Sequence, residues 1–147
     1  MKINCCWRAD YDAVFVSALL TSPSVGIVDE EIDLLIDTGA IRTTILDRDV
    51  NRLGIDFNKL PSHRYKMTGI GGEVETYTIK DAVFMFSTDK DNSQKECIEL
   101  MVLRHDKMNE RIEWLPSLLG RDILGKYHLI YSKPYQKIYF TDENLDI

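Results

Sequence analysis

Apolar residues along the chain come in short runs rich in Val, Ile, Phe and Tyr, interrupted by Gly, Pro, Asn and Asp at intervals that suit strands. This pattern predicts a mostly β protein. The predicted strands are Ala13 to Leu20, Glu31 to Ile36, Thr43 to Leu46, Tyr65 to Met67, Glu73 to Ile79, Ala82 to Phe86, Cys97 to Leu103, His128 to Tyr131 and Lys137 to Phe140. Between Leu46 and Gly54 the spacing becomes helical. There Asp47 is placed to cap, Leu46, Val50 and Leu53 share a face, and Gly54 suits the position after a helix end. A second short helix is predicted over Asp122 to Tyr127, flanked by glycines. The polar stretches Ser87 to Glu96 and His105 to Glu113 read as exposed loops or hairpin ends.

Composition narrows the class. The 147 residues, 44% of them hydrophobic, suffice for one domain spanning 1–147 and not for two of ordinary size. A net charge of -6 supplies no basic footprint for phosphate backbones, so nucleic acid is not an expected partner. No apolar run is long enough to cross a bilayer, and Met1 to Asp10 lacks the features of a signal peptide. The expectation is a cytoplasmic protein with no membrane association. Cys5, Cys6 and Cys97 are too few for a disulfide framework and read as free thiols. His63, His105 and His128 are scattered, and no Cys/His pair has metal spacing, so packing or surface roles and no metal or other cofactor are expected.

One segment stands apart. Leu34-Leu35-Ile36-Asp37-Thr38-Gly39-Ala40 carries a carboxylate off the end of an apolar strand into a tight turn. Burying an isolated carboxylate is costly, so such an aspartate pairs, binds a cation or works chemically. Thr38 offers a hydroxyl to lock the turn, Gly39 lets backbone amides approach Asp37, and Ala40 leaves room for a substrate. A glycine-rich run, Met67-Thr68-Gly69-Ile70-Gly71-Gly72, falls between two predicted strands. Further on, Leu118-Leu119-Gly120-Arg121-Asp122 precedes the second short helix. The glycine-rich run lacks a Gly-Lys-Ser/Thr ending, so it reads as a hairpin tip and not as a phosphate cradle.

These three elements, in this order, resemble those of the retropepsin-like aspartic proteases, and the resemblance spans Ala13 to Phe140. It implies an all-β closed barrel of the acid protease fold, with one or two short helices and a flap hairpin. Asp37, Thr38 and Gly39 would form the catalytic loop, while Ala40, Ile41, Arg42, Gly69, Ile70, Gly71 and Leu118 would contact the substrate. Peptide hydrolysis in that family uses two close carboxylates that share one proton and activate water. Only Asp37 is followed by Thr-Gly or Ser-Gly, so the second carboxylate is expected from another copy in a homodimer acting on a peptide or protein. The hairpin of Leu129-Ile130-Tyr131 and Ile138-Tyr139-Phe140 would supply an interface sheet.

The pattern also departs from the family. Retroviral members commonly carry Asp after the Ala, paired with the Arg of the Gly-Arg segment; here Ile41 and Arg42 follow. Arg121 then needs another partner, with Asp122 or a carboxylate across the interface as candidates. For Arg42 two roles stand open, one toward an acidic substrate side chain and one as a structural pair with an acid such as Asp122. Trp114 reads as a core or interface aromatic that could also line a subsite. The alternative to an aspartic endopeptidase is a protease-like module that dimerises and binds peptides without cutting them.

Overall fold

In the computed structural model the structure describes residues 1–60, 65–69, 72–105 and 107–146, with backbone alone at 65–69, 72 and 73. The strands are β1 (Lys2–Asn4), β2 (Cys6–Arg8), β3 (Ala13–Ser22), β4 (Ile27–Ile36), β5 (Thr44–Ile45), β6 (Tyr65–Gly69), β7 (Gly72–Ser87), β8 (Ser93–His105), β9 (Ser117–Leu119), β10 (His128–Ser132) and β11 (Lys137–Thr141). Three short helices join them: α1 (Asp47–Leu53), α2 (Glu110–Trp114) and α3 (Arg121–Leu124).

The larger sheet runs β2-β3-β4-β9-β5-β8-β7-β6, and β3 also pairs with β7 through Leu19↔Met85, Leu20↔Phe84 and Thr21↔Val83. That extra pairing closes β3, β4, β9, β5, β8 and β7 into a six-stranded mixed barrel. Closure satisfies the backbone groups that an open edge would leave unpaired. Inward-facing Leu20, Leu34, Ile45, Phe84, Phe86, Leu100, Val102 and Leu119 are fully buried and form the barrel's core. Burial of side chains of this size stabilises by about 1.5–3 kcal/mol each.

A smaller antiparallel sheet, β1-β11-β10, lies at the chain ends, with Phe140 of β11 fully buried against the same core. Its β1–β11 register pairs Lys2 with Thr141, and the Thr141 hydroxyl donates to the Met1 carbonyl at 2.6 Å. The predicted hairpin of the C-terminal strands is present as β10–β11, with β10 at the sheet's open edge.

Several predicted boundaries move for physical reasons. Glu73–Ile79 and Ala82–Phe86 are one strand, β7, bent at a bulge between Ile79 and Ala82. The polar pair Lys80-Asp81 reads as a turn in sequence, but Asp81 accepts bonds from the Ser22 hydroxyl (2.7 Å) and from the amide and hydroxyl of Ser24 (2.9 and 2.7 Å). The bulge is thereby anchored to the end of β3. The predicted Ser87–Glu96 loop shrinks to a tight turn, because β8 begins at Ser93 and Thr88 donates to the Asn92 carbonyl at 2.9 Å. Within the predicted loop His105–Glu113 begins α2, whose first turn is capped by Asn109 accepting from the Ile112 amide at 3.0 Å. α1 forms where expected, yet Asp47 does not cap it: Leu46 is the capping residue and Asp47 turns to His105.

Candidate active site

The Asp37 loop is held by two parallel strands. β4 and β9 pair Leu34↔Ser117, Leu35↔Leu118 and Ile36↔Leu119, and the Asp37 amide extends the ladder by donating to the Leu119 carbonyl at 3.1 Å. β5 pairs antiparallel with β9 at Thr44↔Leu118, so half-buried Leu118 lies between the strands entering and leaving the loop. The chain then turns sharply. Ala40 donates to the Asp37 carbonyl at 3.2 Å, and the Gly39 amide donates to Asp37 Oδ1 at 2.9 Å. A Cβ on Gly39 would sit 3.2 Å from that same oxygen, so a side chain here would crowd the carboxylate.

Asp37 is half-buried, while Thr38 and Gly39 are exposed on the same face. The Thr38 hydroxyl makes no hydrogen bond among the described residues, so the lock expected of it within this chain is made by the Gly39 amide instead. Gly39 is the one donor to the Asp37 carboxylate among the described residues. The other oxygen therefore keeps its acceptor capacity toward the open face.

Beneath the loop, the segment from Leu118 to Asp122 acts as a clamp. The amides of Arg121 and Asp122 donate to the carbonyls of Ala40 (2.9 Å) and Ile41 (3.1 Å). Gly120 is required by contact: a Cβ there would lie 2.5 Å from the Arg42 carbonyl carbon and 2.7 Å from its oxygen. Asp122 accepts the Thr43 amide at 3.0 Å and the Thr43 hydroxyl at 2.7 Å, and that hydroxyl in turn accepts the Gly120 amide at 3.1 Å. Asp122 is taken by Thr43, and neither Arg42 nor Arg121 makes an ion pair among the described residues.

Two further acids are buried: Asp47, expected to cap α1, and Asp49, unassigned in the sequence. Asp47 accepts the His105 amide at 2.8 Å and pairs with the His105 ring at Nδ1, joining α1 to the end of β8. Asp49 accepts the Ser117 hydroxyl at 2.6 Å, and the same hydroxyl accepts the Leu46 amide at 3.1 Å. No local motif announces these pairs, since their partners lie far away in the chain. Trp114 is 54% exposed and stacks on Tyr11 with ring centroids 4.7 Å apart.

Of the residues expected to meet substrate, Ala40, Ile41 and Arg42 line one open cleft together with Gly39, Thr44 and Met101. Gly69 ends β6 and pairs with Gly72 of β7, while Ile70, Gly71 and His63 lie outside the described residues. The Cys5 thiol is pushed up to about 12, by burial first and then by neighbouring Cys6, which is the opposite of activation. Among the described residues, no three His, Cys, Asp or Glu side chains gather as a metal cage, and no helix is long and apolar enough to cross a membrane.

No family model and no curated protein matches the sequence. Among solved structures the chain is similar to a retropepsin-like aspartic protease from Rickettsia conorii, at 20% identity over 95% of this chain and 89% of that one, with a TM-score of 0.58. It is also similar to EIAV protease complexed with the inhibitor HBY-793, at 20% identity over 80% of this chain and 90% of that one, with a TM-score of 0.43. A mostly β chain with this closed barrel and few short helices has the retropepsin-like fold.

Proposed function

We propose that this chain is one subunit of a homodimeric aspartic endopeptidase in which Asp37 and the Asp37 of a second copy activate a water between them. The observation that carries the reading is the Asp37 turn: a carboxylate fixed by one amide, with its remaining capacity on an exposed face of a rigid loop. A two-fold axis through that face brings two identical carboxylates together, as a closed dimer requires. One ionised carboxylate then takes a proton from water while its protonated neighbour hydrogen-bonds the peptide carbonyl, giving a tetrahedral intermediate that collapses to amine and acid. The same two-fold arrangement leaves the β6–β7 hairpin of each subunit to act as a flap. Thr38 and Gly39 belong to the catalytic loop, and Leu118 to the floor beneath it.

Subunit mixing tests the proposal. When purified wild-type chain is equilibrated with an equal amount of Asp37→Asn chain, random pairing should reduce peptide cleavage per wild-type subunit to about half, since only wild-type pairs cut. A statine-type transition-state mimic should block the remaining activity. Cleavage per wild-type subunit that ignores the added variant, or a fully active monomer in sedimentation, would overturn the shared site.

A further inference from the structure

Resting on the endopeptidase reading, we propose that Arg42 sets substrate specificity by holding an acidic side chain of the peptide within about three residues of the cut bond. Arg42 lines the cleft beside the Asp37 loop together with Gly39, Ala40, Ile41, Thr44 and Met101. It is the one charged residue among those lining the cleft. Ile41 is 70% exposed there, so the site presents a guanidinium within apolar walls.

The guanidinium makes no ion pair among the described residues. Asp122, whose amide is bound to the carbonyl of neighbouring Ile41, is occupied by the amide and hydroxyl of Thr43. Arg121, whose amide is bound to the Ala40 carbonyl, is exposed and likewise without an ion pair among the described residues, so it adds a second positive charge beside the loop.

The stem of Arg42 is also fixed. Its carbonyl accepts the Thr44 hydroxyl at 3.0 Å, and Gly120 packs directly against the same group. An anchored backbone means that less freedom is lost when the side chain engages a ligand. A bound peptide strips water from the cleft, and an unpaired guanidinium would then be left without compensation. A Glu or Asp of the peptide restores two charge-assisted bonds, whereas a neutral or basic residue leaves the cost standing. Rejection of wrong substrates therefore contributes as much as attraction of the right one. Two-fold symmetry places one Arg42 on each side of the scissile bond, so the preference should appear at two positions related by the dyad.

The test uses matched peptides with Glu, Gln or Lys at each of the three positions on either side of the cut, read as kcat/KM by the full-length protein. Glu should exceed Gln by about tenfold at one position on each side, and the ratio should shrink toward one at about 1 M salt. Arg42→Ala and Arg42→Gln should bring the Glu-to-Gln ratio to near one, Arg42→Glu should favour Lys, and Arg111→Ala, an equal charge change on α2, should keep the wild-type ratio. A ratio below twofold at every position in the wild type, or a ratio that survives Arg42→Ala, overturns the assignment. If no peptide is cut, the endopeptidase reading fails, and equilibrium binding of the same peptides by fluorescence anisotropy decides the specificity claim. Tighter binding of Glu than Gln, lost in Arg42→Ala, upholds it; equal or absent binding overturns it.

Discussion

The Asp37 loop and the supporting layer beneath it use the same side chain to opposite ends. Asp122 accepts from a hydroxyl and from the amides of Thr43 and Ile123, Asp49 from the Ser117 hydroxyl, and Asp47 from the amide and ring of His105. Asp37 accepts from the Gly39 amide alone among the described residues. A carboxylate whose lone pairs are spent inside the fold stabilises that fold; one with lone pairs in reserve, at an exposed edge, is free to take part in chemistry. Position along the chain does not separate the two classes. Among these four acids, acceptor capacity sets Asp37 apart.

The comparison is most exposed to failure at Asp37. Asp37→Asn preserves the bond from Gly39 and should leave the urea unfolding free energy within about 0.5 kcal/mol of wild type, while peptide turnover falls by at least about a thousandfold. A loss of stability without loss of turnover would place Asp37 with the structural acids.

The converse experiment is Asp122→Ala, which strands the Thr43 amide and hydroxyl under the loop and should cost about 2–3 kcal/mol in urea unfolding. Gly120→Ala, which drives a methyl group into the Arg42 carbonyl, should cost a similar amount, about 1–3 kcal/mol. If both variants melt like wild type, the clamp does not support the loop.

The smallest effect is expected at Asp81, which separates saturation from burial because it is only half-buried yet accepts from the Ser22 hydroxyl and from the amide and hydroxyl of Ser24. The Ser24 and Ser22 hydroxyls hold its carboxyl below the ordinary value of 3.8. With the folded value depressed, its contribution is complete above about pH 4 and is lost as the pH falls through the folded value. Asp81→Asn should therefore flatten the decline in urea midpoint between neutral pH and about pH 3. An unchanged acid limb would remove Asp81 from the group of stabilising acids.

What could be read from the sequence follows the range of the interactions. The Asp37 turn was legible because its determinants, an apolar strand, a carboxylate and a glycine two residues on, are local. β1 and β9 were not legible: each is three residues long and exists because a distant strand is available to pair with it. Asp122 was offered to the arginines on grounds of charge, whereas the fold assigns it to Thr43, whose hydroxyl also receives the Gly120 amide. Likewise Lys80-Asp81 has turn composition, and only the serines arriving from β3 and the turn after it convert that composition into a bulge.

The pairing of β1 with β11 has a consequence for the order in which this chain acquires its structure. Lys2 meets Thr141 across nearly the whole length of the chain, and the Met1 amine reaches Asp142 and Glu143 at 3.3 and 3.1 Å. Contacts of such separation close the largest loops and slow folding accordingly. Of the strands described, β1 leaves the ribosome first during synthesis and its partner leaves last. The earliest strand made is thus among the last to be paired, and until β11 emerges its backbone remains open to other chains.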